Sequence, residues 1–250
     1  MRLADLVTYC DDHLRVADVA DLPGAHNGLQ VANSGTVTRI AAAVDLCAAT
    51  IRMAAQARTN LLIVHHGLLW GGVQPVVGSH YDRVSQLVKH DIALYASHLP
   101  LDCHPEIGNG VLLARGVGLD VQGEFARHEQ QYWGVWGTLA IARDELTGRL
   151  TRVLGAAPRL LPFGPAAVQR IGVATGSGGS MIPQAAAAGL DTLITGEGSH
   201  HTYFDAEELG LNVYYGGHYA TETFGVKALA EHLAAKFSLE SIFLDHPTGM

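Results

Sequence analysis

Short, continuous apolar runs alternate with helical patterns along most of this chain, and this alternation limits the folds that it can adopt. Runs such as "LLIV" at 61–64 and "IALYA" at 92–96 contain no regularly spaced polar positions. Strands of this kind are typical of parallel sheets, in which helices cover both faces. The sequence therefore predicts an α/β protein with mainly parallel sheets covered by helices. The predicted strands lie at 39–46, 60–64, 92–97, 168–175, 190–195, 212–215 and 241–244.

The pattern becomes less regular in the middle of the chain. The segment "WGVWGTLAIA" at 133–142 follows a more polar stretch, and the segment at 153–169 is the richest in proline and glycine. A chain of 250 residues has room for two small lobes, and such changes of composition indicate a change of architecture. We therefore predict two interlinked α/β lobes, the first made of 1–125 and 215–250 and the second of 126–214.

Charge and composition disfavour two classes of partner. The net charge of −8 is spread along the chain without a cluster of Lys and Arg, which disfavours nucleic acid. The N-terminal "MRLADLVTYCDDHL" carries acids within its apolar pattern, unlike a secretory signal, and no segment reaches the roughly 20 apolar residues of a membrane span. Three cysteines, far apart, fit reduced thiols better than a disulfide framework. We expect a cytoplasmic protein without membrane contact.

Histidine and carboxylate residues follow four of the predicted strands at their carboxyl ends. In open parallel sheets, ligands bind at this edge, so side chains delivered there by different strands are expected to converge. Neutral imidazole and carboxylate are ligands that zinc, iron and manganese take. The residues are His65 and His66 after the strand at 60–64, His98 and Asp102 after 92–97, Glu197 after 190–195, and His218 and Glu222 after 212–215.

The number of these residues favours a site for two metal ions. Two adjacent histidines allow one strand end to serve two ions, and a helix that begins at His218 would place Glu222 on the same face, where a carboxylate can bridge two cations. Five ligands exceed what one open catalytic site needs. We therefore predict two divalent ions per subunit, zinc, iron or manganese, in the first lobe. The predicted ligands are His65, His66, Asp102, His218 and Glu222.

The remaining polar residues at this edge have alternative interpretations. His98 is either a further ligand or a histidine that orients ligands and moves a proton. We assign His98 and Glu197 to proton transfer, because Glu197 lies directly at a strand end. His200 and His201 either face solvent at the start of a helix or line a pocket, with Ser199 as the expected N-cap. The sequence does not identify substrate-binding residues.

Four segments of the chain resemble the successive motifs of one family. They are "LLIVHHGLLW", "SHLPLD", "LDTLITGEGSHH" and "YYGGHYATETFGVKAL", and "HNGLQV" at 26–31 resembles an early Asn-Gly-Leu segment of the same family. This is the Nif-three-like family of dinuclear-metal toroidal hexamers, whose members are often called GTP cyclohydrolase 1 type 2 homologs. The resemblance spans nearly the whole chain, with the motifs in the family's order. Gly67 and Leu68 stand where many relatives carry a proline, and His26 stands where an aspartate is frequent.

The resemblance implies a Nif-three-like fold, a homohexamer with metal sites that face an inner cavity, and the same five ligands. With these ligands we expect a dinuclear-metal-dependent hydrolase that acts on a nucleotide or another phosphorylated small molecule. The alternative is a non-catalytic, metal-dependent binding or regulatory protein of the same hexameric family. Closed structural zinc sites are disfavoured, because such sites are usually rich in cysteine and none of the three cysteines belongs to a paired motif.

Overall fold

A computed structural model of the chain describes residues 1–128 and 130–250. These residues divide into two units, and each unit contains one sheet covered by helices. The first unit comprises Met1–His104 and Gly225–His246, and the second comprises Pro105–Phe224 and Pro247–Met250. The predicted lobe boundaries near residues 125 and 215 stay a prediction.

The first unit contains a five-stranded sheet with the order β1-β4-β3-β2-β11. Three of its four pairings, β4 with β3, β3 with β2 and β2 with β11, are parallel, and β1 pairs antiparallel with β4 at one edge. The strands are β1 (Gly28–Val31), β2 (Arg39–Asp45), β3 (Leu61–His66), β4 (Ala93–Ala96) and β11 (Glu240–Phe243). The helices are α1 (Leu3–His13), α2 (Ala48–Gln56), α3 (Gly78–Lys89), α4 (Leu99–Asp102) and α10 (Thr223–Phe237), of which the residues from Gly225 belong here.

The core of this unit explains why its strands are continuous apolar runs. Ile51 of α2 and Leu87 of α3 pack with Leu62 and Val64 of β3 in one buried cluster. The neighbouring residues of β3 are equally buried, so the strand is covered on both faces. Each fully buried side chain of this size contributes about 1.5–3 kcal/mol relative to an exposed one.

The second unit contains a six-stranded sheet with the order β5-β6-β8-β9-β10-β7. Its central strands β8, β9 and β10 are parallel, whereas β5 with β6, β6 with β8 and β7 with β10 pair antiparallel. The strands are β5 (Asp120–His128), β6 (Gln131–Ala142), β7 (Arg159–Pro162), β8 (Ala167–Ala174), β9 (Thr192–Thr195) and β10 (Asn212–Tyr215). The helices are α5 (Asn109–Val117), α6 (Arg143–Leu154), α7 (Ile182–Ala187), α8 (Thr202–Leu209) and α9 (His218–Thr221), with a 3₁₀ turn at Gly178–Met181.

The predicted fold class, α/β with helix-covered sheets, is confirmed by this architecture. The expectation of mainly parallel sheets holds for the first unit and needs correction for the second, where three of the five pairings are antiparallel. One physical reason is chain length, since β5 ends at His128 and β6 begins at Gln131, and so short a connection permits only antiparallel pairing. Within the described residues, no helix combines the length and hydropathy that crossing a membrane requires.

Candidate metal centre

The carboxyl ends of β3 and β4 bring four of the predicted site residues together in the first unit. His65 and His66 are the last two residues of β3, and His98 follows β4 by two residues. One ring nitrogen of each of these three histidines lies within 4.8 Å of a ring nitrogen of the other two. The short helix α4 returns Asp102, whose Oδ2 lies 3.4 Å from His65 Nε2. Both His65 and Asp102 are buried, so their polar atoms face one another away from solvent.

The hydrogen bonds at Nδ1 orient the three rings of this group. In each ring Nδ1 contacts an oxygen that can only accept, so we assign the hydrogen to Nδ1 and the lone pair of the neutral ring to Nε2. An outer carboxylate or carbonyl that fixes the tautomer in this way is typical of histidines that bind metals. The contacts are His65 with the Ser97 carbonyl at 2.9 Å, His66 with Asp45 Oδ1 at 2.8 Å and His98 with Asp21 Oδ1 at 2.7 Å.

Asp21 is a buried carboxylate that the sequence analysis did not identify. It accepts hydrogen bonds from the His98 ring, from the Asn27 amide at 2.8 Å and from the backbone N–H of Leu99 at 3.0 Å. Burial by itself raises the pKa of Asp21, but the hydrogen bonds and the nearby His98 bring this pKa down to about 2. Asp21 is therefore ionised at neutral pH and holds the His98 ring in place.

Trp70 and a narrow crevice flank the histidines of the first unit. The Trp70 ring stands edge-on to the rings of His66 and His98, with centroids 5.1 and 4.8 Å away. His26, Gln30 and Trp70 line the crevice, which also reaches His65 and His98. An aromatic wall of this kind lowers the local dielectric constant around the imidazoles and so strengthens their electrostatic interactions. Sequence reasoning gave Trp70 no role, because a single tryptophan in a loop has no informative spacing.

The second unit brings together the other three predicted site residues. Glu197 lies two residues beyond β9, and His218 lies three residues beyond β10 as the first residue of α9. His218 Nδ1 contacts Glu197 Oε1 at 2.8 Å, and His218 Nε2 contacts Glu222 Oε2 at 3.2 Å. This ring therefore resembles that of His65, with an oxygen acceptor at Nδ1 and with Nε2 directed toward a carboxylate.

The predicted helix through residues 218–236 is interrupted, although its two key side chains meet. The helix α9 ends at Thr221, Glu222 adopts φ −108° and ψ 7°, and α10 begins at Thr223. Glu222 nevertheless stays four residues from His218 on the same side, and its side chain is only 5% exposed. Gly176, at φ +61° after β8, is in contact with this carboxylate, because a Cβ at that position would overlap Glu222 Oε1. A side chain at 176 would therefore displace Glu222.

The acidic neighbours of His218 change its protonation. Its hydrogen bond to Glu222 raises the pKa of His218, burial lowers it, and the charge of Glu222 together with Glu197 raises it further, to about 9. At neutral pH and without a cation, His218 therefore carries a proton that lies between its ring and Glu222. His218 would lose this proton on binding a divalent cation, since a ligating imidazole must be neutral.

The donor set of both units fits divalent metal ions. All of the converging atoms are imidazole nitrogens and carboxylate oxygens, the ligands that zinc, iron and manganese accept. Two of the carboxylates, Asp102 and Glu222, are buried beside histidines, where cations would compensate their charge.

The structure and the chemistry of these residues define an α/β protein with histidine and carboxylate side chains arranged for metal binding. The family model of Duf34/NIF3 (NGG1p interacting factor 3) matches residues 1–249, and the chain belongs to this family. The family resemblance predicted from the sequence motifs is thus confirmed.

Relatives of known name or structure are similar over the full length of the chain. A Halobacterium salinarum protein named "GTP cyclohydrolase 1 type 2 homolog" is 44% identical, with 100% of both chains covered. The crystal structure of TTHA1606 from Thermus thermophilus has 41% identity and a TM-score of 0.92, and it covers 100% of both chains. The structure of protein ybgI, described as of unknown function, has 37% identity and a TM-score of 0.93 over 100% of both chains.

Proposed function

We propose that this protein is a dinuclear-metal-dependent hydrolase that acts on a nucleotide or another phosphorylated small molecule. One observation carries the proposal: all four histidines of the two ligand groups donate from Nδ1 to a carbonyl or carboxylate oxygen and so present Nε2 as a ligand. The names of the curated relatives agree with a nucleotide substrate. The proposed ligands of two zinc, iron or manganese ions are His65, His66, Asp102, His218 and Glu222.

The bound ions would supply Lewis acidity, which lowers the pKa of water and stabilises negative charge that develops on a phosphoryl or carbonyl group. The protein supplies orientation and proton transfer. His98, fixed by the ionised Asp21, has its ring beside those of His65 and His66 and is our proposed proton carrier. Glu197 orients His218 through Nδ1, and its side chain is 43% exposed, so it can also exchange a proton with solvent.

The test is hydrolysis of a panel of nucleotides and phosphoesters by protein purified without a histidine tag, with zinc, iron or manganese restored in turn. We expect metal-dependent turnover of at least one nucleotide.

Asp102→Asn should reduce kcat by about 100-fold or more, because a metal ligand loses its charge. Asp82→Asn changes an exposed aspartate of α3 and is the matched control. Equal activity of the two variants would contradict the ligand assignment.

A non-catalytic, metal-dependent binding or regulatory protein is the second candidate. The proximity of His98 to His65 and His66 favours it, because a ligating His98 would give the first unit four donors and leave fewer positions open for water. The panel separates the two candidates, since bound metal without turnover on any substrate supports the binding protein.

We also propose the homohexamer and the cytoplasmic location that the family resemblance implies, with a small molecule as the partner. The net charge of −8 supports the absence of nucleic acid from this list of partners. Analytical ultracentrifugation tests the hexamer, which predicts a mass six times the 26.5 kDa of one chain. A stable monomer would contradict it.

A further inference from the structure

A cleft of about 260 Å³ opens in the second unit beside the turn that joins β9 to α8. We call it the β9–α8 cleft and define it by Arg159, Ser199, Tyr203, Phe204 and Tyr215, which lie on its wall. Its volume is close to the lower end of the ~300–1,000 Å³ range of small-molecule sites, so it suits a compact ligand. The cleft contains none of the proposed metal ligands.

Exposed aromatic rings form one side of the cleft. The side chains of Tyr203 and Phe204 are 38% and 48% exposed, although both are large and apolar. They are held in edge-to-face contacts, with centroids of Tyr203 and Phe204 5.5 Å apart and those of Phe163 and Tyr203 5.1 Å apart. Rigid aromatic rings at a concave surface favour a planar ligand that stacks on them.

The wall of the cleft also contains a positively charged residue, Arg159. Among the described residues, the Arg159 guanidinium makes no hydrogen bond or ion pair, whereas Arg149 binds Glu145 and Arg170 binds a backbone carbonyl. Arg159 is directly opposite Tyr215 in the antiparallel pairing of β7 with β10. Burial raises the pKa of Tyr215, whereas the hydrogen bond with Thr202 and the positive charge of Arg159 lower this pKa. The guanidinium of Arg159 therefore lies near the phenol of Tyr215. An arginine in this setting is suited to an anion such as phosphate.

The turn beside the cleft packs closely against two hydroxyl groups. Thr202 Oγ1 and the Tyr215 hydroxyl are 2.6 Å apart, and a Cβ at position 198 would lie 2.6 Å from each of these oxygens. Glycine at position 198 therefore allows the turn to approach these two oxygens closely. Ser199 does not cap α8 as expected, because its backbone carbonyl instead accepts the Thr202 hydroxyl.

The cleft is adjacent in sequence and in space to a residue of the candidate metal centre. Gly198 directly follows Glu197, which accepts a hydrogen bond from His218 Nδ1 at 2.8 Å. A ligand that reaches from the cleft along this short turn would approach His218. This link to the reaction rests on the proposed function, whereas binding in the cleft does not.

We propose that the β9–α8 cleft binds a nucleoside monophosphate or the equivalent part of a nucleotide, with the base stacked on Phe204 and in edge-to-face contact with Tyr203, and with the phosphate at Arg159. The compact volume, the exposed rings and the unpartnered guanidinium together select a planar aromatic group that carries an anion. Within the proposed function, the substrate is thus a nucleotide rather than a non-aromatic phosphate ester.

The test measures binding by isothermal titration calorimetry to the full chain after removal of metal with a chelator. The probes are guanosine 5′-monophosphate, guanosine and ribose 5-phosphate. We expect the nucleotide to bind at least about tenfold tighter than either fragment, because only it engages both the rings and the guanidinium. Equal affinities for the nucleotide and ribose 5-phosphate would overturn the proposal.

Two variants separate the two contacts. Arg159→Gln should weaken the nucleotide about tenfold and leave guanosine unchanged, whereas Phe204→Ala should weaken both. Arg152→Gln and Leu209→Ala are the controls, since they change an exposed arginine of α6 and an exposed apolar residue of α8 outside the cleft. Wild-type affinity for the nucleotide in both cleft variants would overturn the proposal.

The binding and turnover measurements distinguish a failure of the cleft proposal from a failure of the hydrolase proposal. Nucleotide binding that depends on Arg159, with no turnover under any metal, supports the cleft and contradicts the hydrolase. Metal-dependent turnover, with nucleotide affinity and KM unchanged in Arg159→Gln and Phe204→Ala, supports the hydrolase and overturns the cleft.

Discussion

At the scale of single residues, the hydrogen bond at each Nδ1 determines what the histidines can do. An imidazole that donates from Nδ1 to a carboxylate is fixed in orientation, and its basicity at Nε2 increases. Asp45 performs this role for His66, which lies opposite it in the parallel register of β2 and β3. Asp21 performs it for His98 from a loop far away in sequence.

The proton on His218 predicts how metal affinity depends on pH. The pKa of His218 is about 9 in the metal-free chain, so below pH 9 a cation must displace one proton from this ring. The apparent affinity should therefore rise about tenfold from pH 7 to pH 8 through this group. Calorimetry in two buffers of different ionisation enthalpy measures the proton released per ion. An affinity independent of pH in this range, with no proton released, would contradict the assignment of His218 as a ligand.

At the scale of elements, strand ends deliver the proposed ligands, and small turns make room for them. His65 and His66 end β3, while Glu197 and His218 follow the parallel strands β9 and β10. The turn after β8 contributes no ligand but lies against Glu222 at Gly176. The glycine-rich segment after β8 therefore has a steric role beside the ligands. Within it, the N–H of Gly176 already donates to the Thr221 hydroxyl.

Gly176→Ala tests this steric role. The added Cβ would overlap the Glu222 carboxylate, so metal affinity should fall by about 10- to 100-fold, the loss typical when the support of a ligand is disturbed. Gly155→Ala is the matched control, because it also has a positive φ, +80°, with no atom within 4 Å of its added Cβ. Both variants lose about 1 kcal/mol of stability to backbone strain. Equal metal affinity in the two variants, measured by chelator competition, would show that Gly176 does not position Glu222.

At the scale of the whole molecule, the sequence predicted what depends on hydrophobic pattern and missed what depends on tertiary pairing. Strands covered on both faces, such as β3 and β9, are recognisable in the sequence as continuous apolar runs. The edge strand β7 is partly exposed and lies in the segment at 153–169 that is rich in proline and glycine, so it has no continuous apolar run that predicts a strand. Because the sequence does not predict β7, it also predicts neither the pairing of Arg159 with Tyr215 nor the β9–α8 cleft.

The carboxylates of Asp45 and Asp21, which contact Nδ1 of His66 and His98, also show what the sequence can and cannot predict. The position of Asp45 could be predicted, because Asp45 ends a buried strand beside β3 and parallel neighbours end at the same edge of a sheet. The position of Asp21 could not be predicted, because its loop has no periodicity and its partner His98 is 77 residues away.

We propose that the histidine and carboxylate groups hold two ions per chain, and elemental analysis of tag-free protein measures this number. Mass spectrometry of the metal content, after reconstitution with zinc, iron or manganese and removal of loosely bound ions, should give about two ions per chain. The value should fall in Asp102→Asn and not in Asp82→Asn. Metal well below one ion per chain after reconstitution would contradict the claim.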